Sequence, residues 1–76
     1  MNAADMHAAP VTVQVNGEAK VTQAGATLAD LLAAMGEAPE QCATAVNEAF
    51  VARALRATHL LREGDRITCF KPIVGG

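Results

Sequence analysis

Residues Val11-Thr12-Val13-Gln14-Val15 alternate β-branched apolar with polar side chains, and Asn16-Gly17 follows at once. A period of two puts successive side chains on opposite faces of an extended strand. Asn-Gly is the strongest two-residue signal for a tight hairpin turn, because that turn needs positive φ at both central residues. The start of the chain is therefore expected to be a hairpin, with Glu18 to Thr22 returning antiparallel. Such a sheet has one apolar face, and that face needs a cover.

The cover is legible a few residues on. Gln23 to Ala26 reads as a loop, and Thr27 opens a helix as N-cap with Asp30 three residues later as capping-box partner. Leu28, Leu31, Leu32 and Met35 fall at i, i+3, i+4 and i+7, an apolar stripe facing a sheet. Gly36 at C′ ends the helix and Pro39 prevents its resumption. Ala43 to Val46 and Ala49-Phe50-Val51 flank Asn47-Glu48 as a second short hairpin. Arg53 to Leu61 carries the chain across the domain and allows a short helical turn. After the Glu63-Gly64-Asp65 turn, Arg66-Ile67-Thr68-Cys69-Phe70 alternates as a final strand, Ile67 and Cys69 on one face, Thr68 and Phe70 on the other. Pro72 cannot donate to a sheet ladder, so pairing should end near Lys71.

Hairpin, helix, short strands and final strand define an α+β fold: a mixed sheet of four to five strands covered by one main helix, the ubiquitin-like β-grasp arrangement in its smallest form. The expected organisation is a disordered extension over residues 1–10, a β-grasp domain over 11–71 and a flexible reactive tail over 72–76.

Composition narrows the function. A chain of 76 residues is one small domain, and with 51% hydrophobic but only 3% aromatic residues its core must be built from Val, Leu, Ile and Ala. A net charge of −2 with both signs interspersed points away from nucleic acid and anionic membranes, and toward a protein or small-molecule partner. Met1 to Pro10 has neither a basic opening nor a continuous apolar run, and no other apolar run approaches the ~20 residues of a membrane span. A soluble, cytoplasmic protein is expected. Cys42 and Cys69 lack the CxxC spacing of a zinc or redox pair, so free thiols and no metal site are expected.

Gly75-Gly76 follow the apolar Pro72-Ile73-Val74. Glycines carry no side chain beside the carbonyl and reach backbone angles closed to other residues, which suits a tail that threads into a narrow channel. The α-carboxylate of Gly76 is the candidate reacting group, and Gly75 the threading residue. Lys71, Pro72, Ile73 and Val74 form the stem that partners grip. Phe70, Ile73 and Val74 are candidates for an apolar docking patch on the sheet face away from the helix; for Phe70, core packing is an equal reading.

The chain from Val11 to Gly76 resembles the thiamine-biosynthesis sulfur carriers, ubiquitin-like β-grasp proteins that bear sulfur as a C-terminal thiocarboxylate. The resemblance is carried by Val15-Asn16-Gly17, Thr27-Leu28-Ala29-Asp30-Leu31-Leu32, Ala45-Val46-Asn47, Val51, Arg53, the Gly64-Asp65-x-Ile67 turn and Gly75-Gly76. It departs at Ala52, often proline in that family, and in its amino-terminal extension. The sister family, the small subunit of molybdopterin synthase, carries a pair of aromatics and two prolines where this chain has Cys69-Phe70-Lys71-Pro72. The resemblance implies that an ATP-dependent adenylating enzyme activates Gly76, that a persulfide protein then supplies sulfur, and that a thiazole synthase consumes the thiocarboxylate. It implies a co-substrate, not an enzyme, with no bound cofactor. A molybdopterin synthase subunit and a ubiquitin-like modifier are the alternatives.

Other polar residues read as structural. His59 has no carboxylate or cysteine at catalytic spacing, and Cys69, on the core face of a strand, reads as a small hydrophobe and not a persulfide site. The Arg and Glu residues of the Arg62 to Arg66 turn read as a solvated rim that can steer partners.

Overall fold

Both hairpins form as the turn residues dictate, and the last strand inserts between them. A computed structural model describes residues 9–71; most of the expected extension and the whole of Pro72 to Gly76 lie outside that range. The elements are β1 (Val11–Val15), β2 (Glu18–Thr22), α1 (Leu28–Ala34), a 3-10 turn (Pro39–Gln41), β3 (Ala43–Val46), β4 (Ala49–Val51), a second 3-10 segment (Arg53–Thr58) and β5 (Arg66–Phe70). The sheet order is β2-β1-β5-β3-β4. β5 runs parallel to β1 and antiparallel to β3, so the final strand is central. This is the mixed β-grasp sheet with one main helix.

The turns have the geometry their sequences imply. Asn16 and Gly17 sit at φ 52° and 84°, and Asn47 and Glu48 at φ 51° and 71°. Asparagine tolerates this left-handed region because its short polar side chain bonds locally. At α1 the Thr27 hydroxyl accepts the Asp30 N–H at 3.1 Å, and the Asp30 carboxylate accepts the Thr27 N–H at 3.0 Å. Gly36, at φ 77°, closes the other end: its N–H donates to the Ala33 carbonyl and that of Glu37 to the Leu32 carbonyl, a Schellman arrangement.

Leu28, Leu31 and Leu32 are buried against Val13, Val15, Val46, Val51, Leu61 and Ile67, with Met35 and Cys69 packed at the margin. Removal of one such leucine side chain costs about 2–5 kcal/mol in a close-packed core. Pro39 does more than stop a helix. It takes the first position of a 3-10 turn, where its missing N–H costs nothing.

The crossing segment is more structured than its sequence suggests. Arg53–Thr58 forms a 3-10 segment, and Leu60 bridges Thr27. Arg56 is 3% exposed. Its Nε donates to the Thr44 hydroxyl at 3.0 Å, one terminal nitrogen to the Pro39 carbonyl at 2.9 Å and the other to the Cys42 carbonyl at 2.6 Å. The hydroxyl of Thr44, fully buried, donates in turn to the Val51 carbonyl at 3.1 Å. The guanidinium thus ties two loops and β3 together, with neutral acceptors replacing the water it gives up.

Candidate docking face and the root of the tail

β5 brings the backbone out of the middle of the sheet at Lys71, the last residue described. Its alternation divides the strand cleanly. Ile67 is buried and Cys69 half-buried on the helix side, whereas Phe70 is 49% exposed on the open side. Phe70 therefore does not pack in the core.

Register shows what surrounds it. Phe70 is opposite Ala43, and Ala45 lies between Thr68 on one side and Phe50 on the other. Phe50, 70% exposed, therefore shares the open face with Phe70. Small side chains on β3 leave both rings standing above the sheet. The alternation of Phe50 with buried Val51 held this signal in the sequence, although Phe50 reads there only as a strand residue. An exposed aromatic pair on one face is the kind of surface that marks a binding site.

Three contacts define the root of the tail. The Asn16 amide nitrogen donates to the Cys69 carbonyl at 3.0 Å, and its oxygen accepts the Cys69 N–H at 2.9 Å. Lys71 forms an ion pair with Glu37 at 3.1 Å; the hydrogen bond and the charge of Glu37 both raise the lysine pKa. So Lys71, expected among the residues gripped by partners, already has a partner just beyond the end of α1. Cys69 packs inward beside Cys42, which precedes Thr44, its cross-strand neighbour, by two residues. Burial first, then the Cys42 thiol, push the Cys69 thiol up to about 11 from its ordinary 9.0. Both cysteines are free. A thiol so poorly ionised is a weak nucleophile, in keeping with the packing role.

The far end of β5 is organised differently. Asp65, 9% exposed, accepts the Arg62 N–H at 2.9 Å and the Asn47 side-chain amide at 3.0 Å. Asn47 in turn accepts the Arg66 N–H at 2.9 Å. Arg62, Glu63 and Arg66 are exposed, as a solvated rim requires, although Glu63 also accepts the Thr12 N–H at 2.9 Å. These carboxylates staple the turn to β1 and to the turn between β3 and β4. His59 is half-buried in the crossing segment, where its carbonyl accepts the Leu28 N–H at 2.9 Å.

Among the described residues no three His, Cys, Asp or Glu side chains converge as metal ligands, and no helix is long and apolar enough to cross a membrane. Pro72, Ile73, Val74, Gly75 and Gly76, the remaining site residues expected from sequence, lie outside the described residues.

A small mixed sheet under one helix, with the backbone emerging from the central strand beside an open apolar face, makes this a β-grasp protein of the ubiquitin-like class. The chain belongs to the ThiS family, which it matches over residues 11–76. It is 34% identical over 61 residues to the sulfur carrier protein ThiS of Escherichia coli, covering 80% of this chain and 92% of that one. It is also 39% identical over 64 residues to a thiazole synthase of Magnetococcus marinus; the match covers 84% of this chain but spans only 20% of that relative's length. The crystal structure of the thiamine biosynthesis protein ThiS from Geobacter metallireducens superposes with a TM-score of 0.75 at 20% identity, covering 87% of this chain and all of the other, and shares the fold.

Proposed function

We propose that this protein carries sulfur on the carboxylate of Gly76 for thiazole formation in thiamine biosynthesis. A carboxylate resists nucleophiles because of its charge and its poor leaving group, so it must first be activated. An ATP-dependent adenylating enzyme converts it to an acyl adenylate with release of pyrophosphate. A persulfide sulfur from a donor protein attacks the carbonyl and AMP leaves; reductive cleavage of the resulting acyl disulfide by a thiol frees the thiocarboxylate. That soft nucleophile is then the sulfur donor to a thiazole synthase. The carrier is a co-substrate and lends no catalytic side chain of its own.

The observation that carries this reading is family membership extending through Gly75-Gly76. The Magnetococcus relative favours the thiazole customer over a molybdopterin one, since a segment like this chain is part of a thiazole synthase there. Phe70 and Phe50 supply the docking face, with Ile73 and Val74 of the stem continuing it, and Gly75 passes through the channel of the partner. The contact is expected to be transient, below roughly 1,200 Å² in total.

The test is reconstitution with ATP, adenylating enzyme and persulfide donor, followed by intact-mass measurement. Wild-type protein should gain the mass of sulfur exchanged for oxygen, and a chain extended by one residue after Gly76 should gain nothing. Equal conversion of the extended chain refutes the mechanism. The loaded protein is then offered separately to a thiazole synthase and to a molybdopterin synthase large subunit; transfer to the second alone reverses the choice of customer.

A further inference from the structure

At the root of the tail, the sheet is completed by a side chain. Odd-numbered residues of β5 turn their peptide groups toward β1: the Asp65 carbonyl accepts from Gln14 N–H, and the Ile67 carbonyl from Asn16 N–H, each at 2.9 Å. Cys69 is next in this series, but β1 has already ended in the Asn16-Gly17 turn and has no peptide group left to offer. The carboxamide of Asn16 takes that place. It presents one donor and one acceptor to Cys69, as a strand would.

Two demands meet at this position. The turn requires positive φ, which glycine and asparagine both meet, whereas only a carboxamide also satisfies both backbone groups of Cys69. We propose that Asn16 is a positioning residue for the tail reaction. It holds the Cys69 peptide in the plane of the sheet and so fixes the direction in which Phe70 and Lys71 leave it. The proposal rests on the carrier reading above. A partner that meets an aimed root has less chain to order on binding, and the gain appears in affinity and not in the chemistry of the bound tail.

Asn47 provides the internal control. It too is a turn asparagine whose side chain bonds the backbone of β5, but at Arg66, the end remote from the tail. Asn16→Gly and Asn47→Gly therefore each remove a turn carboxamide that holds the β5 backbone, at opposite ends of the strand, while preserving the left-handed turn. Amide hydrogen exchange should show roughly tenfold or greater loss of protection at Cys69 in Asn16→Gly and at Arg66 in Asn47→Gly.

In the activation assay, well below the melting temperature of each variant, Asn16→Gly should raise the KM for the carrier roughly 3- to 10-fold, the scale of one net hydrogen bond, with kcat unchanged. Asn47→Gly should leave both constants as in wild type. Asn16→Asp, which keeps the acceptor and loses the donor, should fall between wild type and Asn16→Gly. Unchanged exchange at Cys69, an unchanged KM in Asn16→Gly, or an equal rise in KM in Asn47→Gly overturns the proposal. Wild-type protein that gains no sulfur refutes the carrier reading instead, in a separate sample, while the exchange measurement still decides whether the clamp exists.

Discussion

The two ends of β5 are held in different ways. At its start, a buried carboxylate, a turn asparagine and Glu63 bind the backbone from several sides, and the bonds interlock: Asp65 orients Asn47, which holds Arg66. At its finish, one exposed carboxamide and one exposed ion pair stand beside the last rungs of β3. The difference teaches where stability and function part. Interlocked bonds around a buried group are costly to break singly, so the start anchors the fold. Solvent-exposed bonds are weakened by water and salt, so the finish is the more easily loosened end.

The sharpest challenge to this comparison is Asp65→Ala, which leaves the Arg62 N–H and the Asn47 amide without their acceptor. It should cost about 2 kcal/mol, a fall in Tm of about 10 °C by thermal denaturation. Asn47→Gly should cost less, about 1 kcal/mol. Asn16→Gly should be milder than Asp65→Ala; an equal loss of stability would abolish the distinction between the ends.

For Cys69, a folded-state pKa raised to about 11 means the native state holds the thiol proton more tightly than the unfolded chain does. Its contribution to stability is complete below pH 9 and is lost as pH rises toward 11. Alkylation of Cys69 by iodoacetamide should accordingly be slow at pH 8.5 and accelerate only well above it; rapid labelling at pH 8.5 would contradict the packed environment. The smallest effect belongs to Lys71→Ala, whose ion pair is solvent-exposed. Its melting temperature should match wild type at physiological salt, and a clear decrease would mean that the tail end is anchored more firmly than its contacts indicate.

Local pattern made much of this fold readable. Period-two runs gave β1 and β5, the turn pairs Asn16-Gly17 and Asn47-Glu48 gave the other strands, Thr27 and Asp30 gave the start of α1, and Gly36 its end, because each of these signals acts within a few residues. The open face was half legible: alternation put Phe70 opposite Ile67, but its exposure depends on what packs above the sheet. Arg56 was not legible. Arg53 and Arg56 are both arginines of one 3-10 segment, and the acceptors that bury Arg56, the carbonyls of Pro39 and Cys42, are distant in sequence. The second duties of Asn16 and Asn47 were hidden for the same reason, since a bond spanning 53 residues leaves no local trace.

The central place of β5 also governs the order of assembly. In the sheet order, β1–β2 and β3–β4 touch only through it, so during synthesis both hairpins must wait as unpaired halves until residues 66–70 have emerged. The low-contact-order pieces form early and the long-range closure comes last. A chain that stops before residue 66 therefore lacks the strand that joins its two hairpins.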